Sequence, residues 1–475
     1  MAVHDPSTTG NIAVRTPFIR GFCAAALVFL GIRTLGAAQP GYADHHLTIA
    51  TFQADVTPPI GSPLCNGNTL PVKRIDLPLS ARGVVLLTRP SPIVLCVVDW
   101  VGIGNAAHDA WREALARAAG TTPRRVTVHA VHQHDAPGCD FSADEALKSC
   151  GLGGAMFDPD FARRAIAKTA EAVRRAVDRP KRVTHLGIGR AKVDRVASNR
   201  RLLGPDGKVK YTRMSGCRNK EARDQPEGVI DPYIRTLSFW DGDRPIVCIS
   251  YYATHPQCNY GHGGVSAELP GLARAIREKA LPGVAQIYFT GAGGNVAVGK
   301  YNDGSKGNRA VLSRRLADGM ASAWEATKRV PITATDVEWR VRPVALPPSE
   351  RLVEGKVLEK LANAQAKRRD RIFASRELAW LRRVRSGHRI ELTCLRIGPA
   401  YVLHMPGELF IEYQLAAQRM RPDATVCLAA YADFGPGYIC TRIAYAQGGY
   451  ESGWVSRVSP DVEDVLMGAL RELLK

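Results

Sequence analysis

The sequence predicts an α/β fold in which mixed, largely layered sheets are flanked by helices, with a metal site at the carboxyl ends of strands. Two patterns predict it. Short apolar runs alternate with amphipathic segments, as in Ile93–Val98, Ala106–Ala119 and residues 126–131, and this order is typical of a βαβ unit with parallel strands. Several apolar runs end in histidine, asparagine or glutamate, and ligands bind such sheets outside the carboxyl ends of the strands.

The helices follow from end signals and from periodicity. Gly120 ends the helix Ala106–Ala119, and Asp158 is a suitable N-cap for a helix over Pro159–Val177, with proline at its first position. Apolar periodicity predicts further helices at residues 272–280, 308–326, 349–384 (one long helix or a helix pair), 409–420 and from 459 onward. The arginine-rich face of the segment 349–384 is expected to be solvated; its members are Arg368, Arg369, Arg371, Arg382, Arg383 and Arg385.

The strands follow from apolar runs bounded by turn residues. Asp241-Gly242 joins residues 237–240 and 246–252 into a predicted hairpin. Further strands are predicted at residues 48–52, 285–289, 389–395, 401–404 and 426–430, with extended chain at 331–344 and a polar loop within 190–213. The sequence has no internal repeat, and a change of composition near residue 340 is a soft candidate boundary.

Composition limits the classes of function. Of the 475 residues, 45% are hydrophobic and 23% charged, which is typical of a globular protein. The net charge of +19 favours binding to anionic surfaces, such as an anionic membrane. Because the basic residues are scattered and no nucleic-acid-binding motif is present, we expect no nucleic-acid partner. Oligomeric state is not encoded in any visible pattern.

Residues 1–43 have the layout of a signal peptide. Arg15 and Arg20 precede an apolar run at residues 22–31, and small residues follow it. The run is short for a membrane span. We therefore expect an exported protein, periplasmic or extracellular, whose functional part is residues 44–475; an uncleaved membrane anchor is the alternative.

The eleven cysteines are consistent with export. No CxxC motif is present, which excludes a zinc-finger framework. Cys96 and Cys248 lie inside apolar runs and are predicted to be buried thiols. Cys139 and Cys150 flank a polar loop and could form a disulfide.

Polar side chains that can bind a metal or a substrate follow four of the apolar runs. They are His132 with His134 after the first, then His255, Asn295 and Glu408. Residues two apart on an extended chain point the same way, so His132 and His134 are neighbours. If the strands share one sheet edge, the side chains converge, and two histidines with one glutamate form a recurring catalytic zinc set. The alternative is that each residue only packs or faces solvent. A serine triad is disfavoured because no G-x-S-x-G motif occurs.

The glycine-rich segment 290–296 is a close-approach loop rather than a nucleotide site. It lacks both the GK[ST] ending of a P-loop and the GxGxxG spacing. We expect its backbone, including Gly293, to approach a ligand or a neighbouring strand closely.

Five motifs in order resemble the neutral/alkaline (non-lysosomal) ceramidase family. Residues 130–138, Ala-Val-His-Gln-His-Asp-Ala-Pro-Gly, are similar to its T-H-T-H-S-G-P-G segment. The other motifs are Asn199-Arg200; Ala253-Thr-His255-Pro256 with Ser266-Ala-Glu-Leu-Pro-Gly271; Pro406-Gly-Glu408-Leu-Phe410; and Gly437-Tyr438-Ile-Cys-Thr441 with Tyr445 and Tyr450. Ala54-Asp-Val-Thr-Pro58 near the start also fits, and with it the matches run in order from about residue 48 to 455.

The resemblance implies a zinc amidase that cleaves an N-acyl bond through a zinc-activated water. The implied zinc ligands are His132, His255, Glu408 and Tyr438, with Tyr445 as the competitor for the phenol position. The implied catalytic residues are His134, Arg200 and Tyr450, and the implied substrate-binding residues are Gly293, Asn295 and Tyr445.

Two departures favour a general amide over ceramide. Where the family has a serine in a G-D-V-S-P-N context, this chain has Ala297. The chain also leaves no room for the family's C-terminal immunoglobulin-like domain. The leading interpretation is a zinc-dependent hydrolase of a small-molecule or lipid amide. The alternatives are a catalytically silent binding protein on the same scaffold and a protein that binds anionic surfaces.

Overall fold

Three β-sheets organise the part of the chain that the structure describes. That part is residues 46–475 of a computed structural model, so the predicted signal peptide at 1–43 lies outside it. The first sheet has the strand order β4-β3-β2-β1-β5. Its strands are β1 (Leu47–Asp55), β2 (Ser80–Leu87), β3 (Ile93–Val98), β4 (Val126–Ala130) and β5 (Lys181–Val183). The associated helices are α1 (Ala106–Ala119), α2 (Phe141–Lys148) and α3 (Pro159–Val177).

The second sheet has the order β9-β8-β7-β6-β10. Its strands are β6 (His185–Lys192), β7 (Tyr233–Asp241), β8 (Arg244–Tyr252), β9 (Ala285–Thr290) and β10 (Lys328–Pro331). Its helices are α4 (Lys220–Asp224), α5 (Glu268–Ala280) and α6 (Asn308–Glu325).

The third sheet has the order β11-β12-β13-β14. Its strands are β11 (Val337–Val344), β12 (Ile390–Ile397), β13 (Ala400–His404) and β14 (Thr425–Ala429). The helices of this part are α7 (Glu354–Ala362), α8 (Arg368–Arg385), α9 (Ile411–Met420), α10 (Arg442–Gln447) and α11 (Val462–Leu473).

The three sheets follow the same path. In each, three strands form an antiparallel meander, a helix follows, and a fourth strand pairs in parallel with the third. The mixed α/β fold class predicted from the sequence is therefore confirmed. The repetition is in topology only, which explains why no repeat is visible in the sequence.

The carboxyl ends of the three fourth strands meet in a ring of hydrogen bonds. Ala130 N donates to Tyr431 O at 2.9 Å, and Ala430 N donates to Thr290 O at 2.9 Å. The Thr290 hydroxyl then donates to Val131 O at 2.7 Å. Because each fourth strand lies beside the carboxyl end of its parallel neighbour, this ring brings the loops of all three sheets to one place.

The core lies on both faces of the first sheet. Ile93, Leu95 and Val97 belong to the hydrophobic cluster shared with the other two sheets. Val94 and Cys96 alternate with them and belong to the cluster formed with α1 and α3. The shared cluster contains buried residues from both sides of position 340, the candidate boundary suggested by the change of composition.

Several local predictions need correction. The segment 190–213 is not mainly a loop: β6 runs through residue 192, and short strands lie at Ser198–Asn199, Arg201–Leu203 and Val209–Thr212. For the segment 349–384 the sequence left open one long helix or a helix pair, and the structure has the pair, α7 and α8.

The arginine-rich face of α8 is only partly solvated. Arg383 forms two hydrogen bonds to Asp109, at 2.7 and 2.8 Å, and its side chain is only 12% exposed. Arg368 and Arg371 donate to backbone carbonyls of the segment that follows α2. These arginines fasten α8 to α1 and to the segment after α2, because a guanidinium can bond several acceptors while its stem packs on apolar surface.

The ten cysteines of the described region are free thiols, including Cys139 and Cys150. Cys96 and Cys248 are buried, as predicted. Among residues 46–475, no helix has both the length and the apolar character needed to cross a bilayer.

Candidate metal centre and pocket

His132, His255 and Glu408 converge at the meeting point of the three sheets. The sequence suggested that they share the edge of one sheet. Instead they follow β4, β8 and β13, which belong to three different sheets. The Glu408 Oε2 atom lies 3.2 Å from His132 Nε2 and 3.1 Å from His255 Nε2. All three side chains are buried, and their ligand atoms lie within 4.8 Å of one another.

Backbone carbonyls fix the tautomers of both imidazoles. The Nδ1 atom of His132 lies 2.6 Å from Val101 O, and that of His255 lies 2.6 Å from Gly293 O. Because a carbonyl can only accept, each Nδ1 carries the proton and each Nε2 presents a lone pair to Glu408. Two lone pairs and a carboxylate oxygen repel one another at these distances. A cation between them removes the repulsion, and this second-sphere pattern is typical of metal-ligating histidines.

The backbone at His132 is strained. Its φ is +77°, a region that residues with side chains rarely adopt. Its ring stacks on Tyr431 with centroids 4.5 Å apart, and its amide donates to Trp100 O at 2.9 Å. Such strain is held only where the surroundings enforce it, and it concentrates at functional sites.

Burial and mutual charge set the protonation of this group. Burial alone would raise the pKa of Glu408, but positive charge on the Nε2 side of His132 and His255, whether from a proton or from a cation, holds it well below its usual range. Burial, together with the Arg200 guanidinium, lowers the pKa of His255 to about 4. The carboxylate is therefore ionised and His255 neutral at pH 7, as metal ligands must be.

Tyr438 is the phenol at this centre. Glu408–Leu409 pairs in parallel with Tyr438–Ile439, which places the tyrosine beside the glutamate. The Tyr438 hydroxyl lies 3.2 Å from His255 Nε2 and accepts hydrogen bonds from Arg200 at 3.2 Å and from Tyr450 at 3.1 Å. Its own proton points to the Nε2 lone pair, the place where a shared cation would lie.

The competing phenol, Tyr445, lies elsewhere. Its hydroxyl contacts Ser456 Oγ at 3.0 Å and donates to Val458 O at 3.1 Å, and it does not line the pocket.

Burial raises the pKa of Tyr438 well above its usual range, and the Arg200 guanidinium opposes that shift.

Arg200 is enclosed by partners. Short strands at Ser198–Asn199 and Val296–Ala297 pair and hold its backbone, and its side chain is 2% exposed. The guanidinium donates to Glu451 Oε1 at 3.0 and 3.2 Å, and also to Tyr438 and His255. Arg200 does not line the pocket, and its guanidinium reaches the Tyr438 hydroxyl.

His134 and Tyr450 line the pocket. The His134 ring lies 5.1 Å from that of His132, edge to face. Its Nε2 accepts from the Gln257 side-chain amide at 3.2 Å, and its buried Nδ1 has no partner among residues 46–475. Burial, with the nearby imidazole of His132, lowers the pKa of His134 well below its usual range, so the ring is neutral.

Gly293 and Asn295 act on the framework instead of lining the pocket. The Gly293 carbonyl orients His255, and a Cβ there would lie 2.9 Å from the Tyr431 hydroxyl. Asn295 accepts from Ile411 N at 2.9 Å and donates to Glu412. The expected close approach is present: a Cβ at Gly294 would lie 2.3 Å from the Glu408 carbonyl oxygen.

The pocket above the centre has a volume of about 250 Å³. One wall is a row of aromatic rings: Tyr450 and Trp454 have centroids 6.0 Å apart, and Trp454 and Phe373 are 4.6 Å apart. Arg376 and Arg457 also line the pocket.

Of these aromatic and arginine side chains that line the pocket, the sequence analysis identified only Tyr450. It missed Phe373, Arg376, Trp454 and Arg457. A signal did exist on α8. Arg369, Phe373 and Arg376 recur at helical spacing and therefore share one face, which lines the pocket.

Comparison with known proteins establishes the fold. No protein-family model matches the chain, and no curated protein matches it in sequence. A solved structure described as "Ceramidase complexed with C2" is 17% identical, with a TM-score of 0.65, over 91% of this chain and 75% of that chain. A neutral ceramidase from Pseudomonas aeruginosa is also 17% identical, with a TM-score of 0.64, over 91% of this chain and 74% of its own. The chain shares the fold of these structures, in agreement with the resemblance of its motifs.

Proposed function

We propose that this protein is a zinc-dependent hydrolase that cleaves the N-acyl bond of an amide. The observation that carries the proposal is the buried convergence of two Nε2 lone pairs on one carboxylate oxygen, at 3.1 and 3.2 Å. The shared fold with ceramidase structures supports the choice of an amide as substrate, since a ceramide is itself an N-acyl amide.

Zinc suits the donor set. The buried Nε2 of His132 has no hydrogen-bond partner among residues 46–475, as expected of an atom reserved for an ion. Two imidazoles, a carboxylate and a phenol oxygen are borderline donors that suit zinc, whereas magnesium and calcium prefer sites made of oxygen alone. A zinc ion held there would lower the pKa of bound water to about 7 and polarise an acyl carbonyl.

The surrounding residues hold and move protons. His134 is neutral, and because its Nε2 accepts from Gln257, its proton lies on Nδ1. Its Nδ1–H can therefore donate a hydrogen bond to the carbonyl oxygen, where negative charge would develop. Tyr450 and Arg200 donate to the Tyr438 oxygen and hold it toward His255. Overall, the C–N bond breaks, the oxygen of water joins the acyl carbon, and its protons go to the amine.

The test combines metal content with hydrolysis. Glu408→Gln keeps the shape of the side chain but removes its charge, and we expect it to weaken zinc binding by more than about 100-fold, because even second-sphere changes cost 10- to 100-fold. The matched control is Glu412→Gln, a glutamate four residues further on, in α9, that accepts from Asn295 and lies outside the group. Zinc per chain is measured by elemental analysis, and hydrolysis with N-acyl sphingosines, N-acyl amino acids and amino-sugar amides.

Wild type and the control should hold about one zinc per chain and hydrolyse an amide, and Glu408→Gln should do neither. Equal zinc in all three proteins would refute the assigned centre. Zinc without turnover on any amide would identify a silent binding protein instead.

Ala297 does not favour that silent alternative. It is fully buried, its carbonyl accepts from the Ser198 hydroxyl at 2.9 Å, and it does not line the pocket. In this chain the alanine therefore removes no group from the pocket wall.

A further inference from the structure

Two buried guanidiniums line the pocket without a carboxylate partner. Arg376 on α8 is 8% exposed, and Arg457, in the loop before α11, is 3% exposed. Within residues 46–475 neither takes part in a salt bridge, whereas Arg200, Arg235 and Arg274 are paired with Glu451, Asp231 and Asp99. We call Arg376 and Arg457 the arginine pair.

The carboxylates near the arginine pair are already engaged. Glu377, the next residue on α8, is bonded by Arg351. Asp140 accepts from the side chain of Asn105 at 2.6 Å and from a backbone amide of α2. Glu408 belongs to the metal centre. The positive charge of the arginine pair is therefore available to an anion that enters the pocket.

The arginine pair is held in place. The Arg376 guanidinium lies over the Phe434 ring, 5.2 Å from its centroid. Arg457 donates to Gly435 O at 3.0 Å, and its own carbonyl accepts from Trp380 of α8, also at 3.0 Å. Because the side chains are already ordered, a ligand that binds them loses little conformational entropy in doing so.

Burial of two unpaired cations is unfavourable. Burial lowers the pKa of Arg376, and it lowers that of Arg457 to about 9, with the Arg376 charge adding to the effect on Arg457. An arginine does not escape this penalty by losing its proton, since its guanidinium stays charged in proteins. A bound anion would relieve it, and planar guanidiniums suit carboxylate and phosphate.

We propose that the arginine pair binds an anionic group of the substrate, so that the amide cleaved at the metal centre carries a carboxylate or a phosphate close to its scissile bond. This inference rests on the proposed amidase function. The aromatic row of Tyr450, Trp454 and Phe373 faces the same pocket and suits the acyl chain. With about 250 Å³ available, a compact anion fits best, and N-acyl amino acids are the nearest substrate class.

The experiment uses matched substrates that differ only in charge. The zinc-loaded wild type is given an N-acyl amino acid and its carboxamide, and an N-acyl ethanolamine phosphate and its uncharged alcohol. Charged hydrogen bonds are worth about 1.5–3 kcal/mol, so we expect the anionic member to be favoured by about 10- to 100-fold in kcat/KM. The effect should fall mainly on KM, because the anion is bound in ground and transition states alike. The carboxylate and phosphate arms identify which anion is preferred.

Arg376→Gln should remove this preference, and Arg376→Lys should retain part of it. The matched control is Arg385→Gln on the same helix, which is paired with Glu354 at the surface and should keep the preference. Inorganic phosphate should inhibit the wild type by occupying the arginine pair. This measurement does not require any variant to fold.

Binding of ketone isosteres separates this inference from the proposed function. In these compounds CH2 replaces the amide NH, so they bind without being cleaved. Preference for the charged isostere, lost in Arg376→Gln, would support the inference even if no amide is hydrolysed. Turnover of amides with no preference for charge in substrates or isosteres would overturn it and leave the amidase proposal intact.

Discussion

Two clusters of buried arginine flank the same metal centre and differ in how their charge is met. In the first, which we call the Arg200 cluster, Glu451 takes Arg200 at 3.0 Å and Arg201 at 3.1 Å, one on each carboxylate oxygen. In the second, the arginine pair Arg376 and Arg457 has no carboxylate partner within residues 46–475. In the Arg200 cluster, Arg200 also donates to the Tyr438 hydroxyl and so holds the phenol of the centre. Arg376 and Arg457, which have no such counter-charge in the described part of the chain, are available to a ligand.

A third cluster has the opposite imbalance. Glu268 and Asp135 share one cation, Arg309, at 2.5 and 3.3 Å. Burial raises the pKa of Glu268 to about 7, although Arg309 opposes the shift. An excess of buried carboxylates can thus be met by taking up a proton, whereas an excess of buried guanidiniums can be met only by an anion.

The largest effect should come from opening the Arg200 cluster. Glu451→Gln keeps the shape of the side chain and leaves two arginines without a counter-charge. Breaking a buried ion pair on one side typically costs about 3–5 kcal/mol in the free energy of unfolding. Urea unfolding measures this loss. The control is Glu338→Gln, which removes the surface pair with Arg340 and should cost less than about 1 kcal/mol. Equal losses in the two variants would show that Glu451 is not holding the cluster.

The next effect concerns pH and the Glu268 carboxyl. Its pKa is about 7 in the folded protein and 4.5 ordinarily, so between these values the folded state binds more protons than the unfolded state. The contribution of this group to stability is present below pH 4.5 and is lost as the pH rises through 7. Two and a half pKa units correspond to at most about 3 kcal/mol.

Glu268→Gln cannot titrate. Relative to wild type, its free energy of unfolding should therefore increase between pH 4.5 and 8. Unfolding curves at pH 4.5, 6 and 8 test this. Parallel pH profiles for the two proteins would contradict the raised pKa.

Local signals in the sequence predicted much of the fold. The helices Ala106–Ala119 and Pro159–Val177 have the predicted bounds, because a glycine stop and an Asp158 cap act within a few residues. The same is true of the convergence of His132, His255 and Glu408, since each of these residues follows a recognisable apolar strand.

Other features depended on tertiary structure. The strand His185–Lys192 was missed because its glycines and charged residues weaken the strand pattern, and pairing on both sides decides its conformation. Asn295 and Tyr445 looked like substrate contacts but bond to the framework. The lack of a carboxylate partner at Arg376 could not be predicted, because it depends on which residues tertiary structure brings near this helix.

The smallest effect on stability should be the most informative one. Arg376→Gln removes a buried charge that has no counter-charge, so the loss of packing over Phe434 is offset by relief of desolvation. We expect a free energy of unfolding that is unchanged or higher by up to about 1 kcal/mol. Urea unfolding beside Glu451→Gln gives the comparison directly. A loss of several kcal/mol would mean that Arg376, like Arg200, has a structural partner. A loss of substrate preference without a loss of stability would leave the ligand as the only counter-charge that this arginine has.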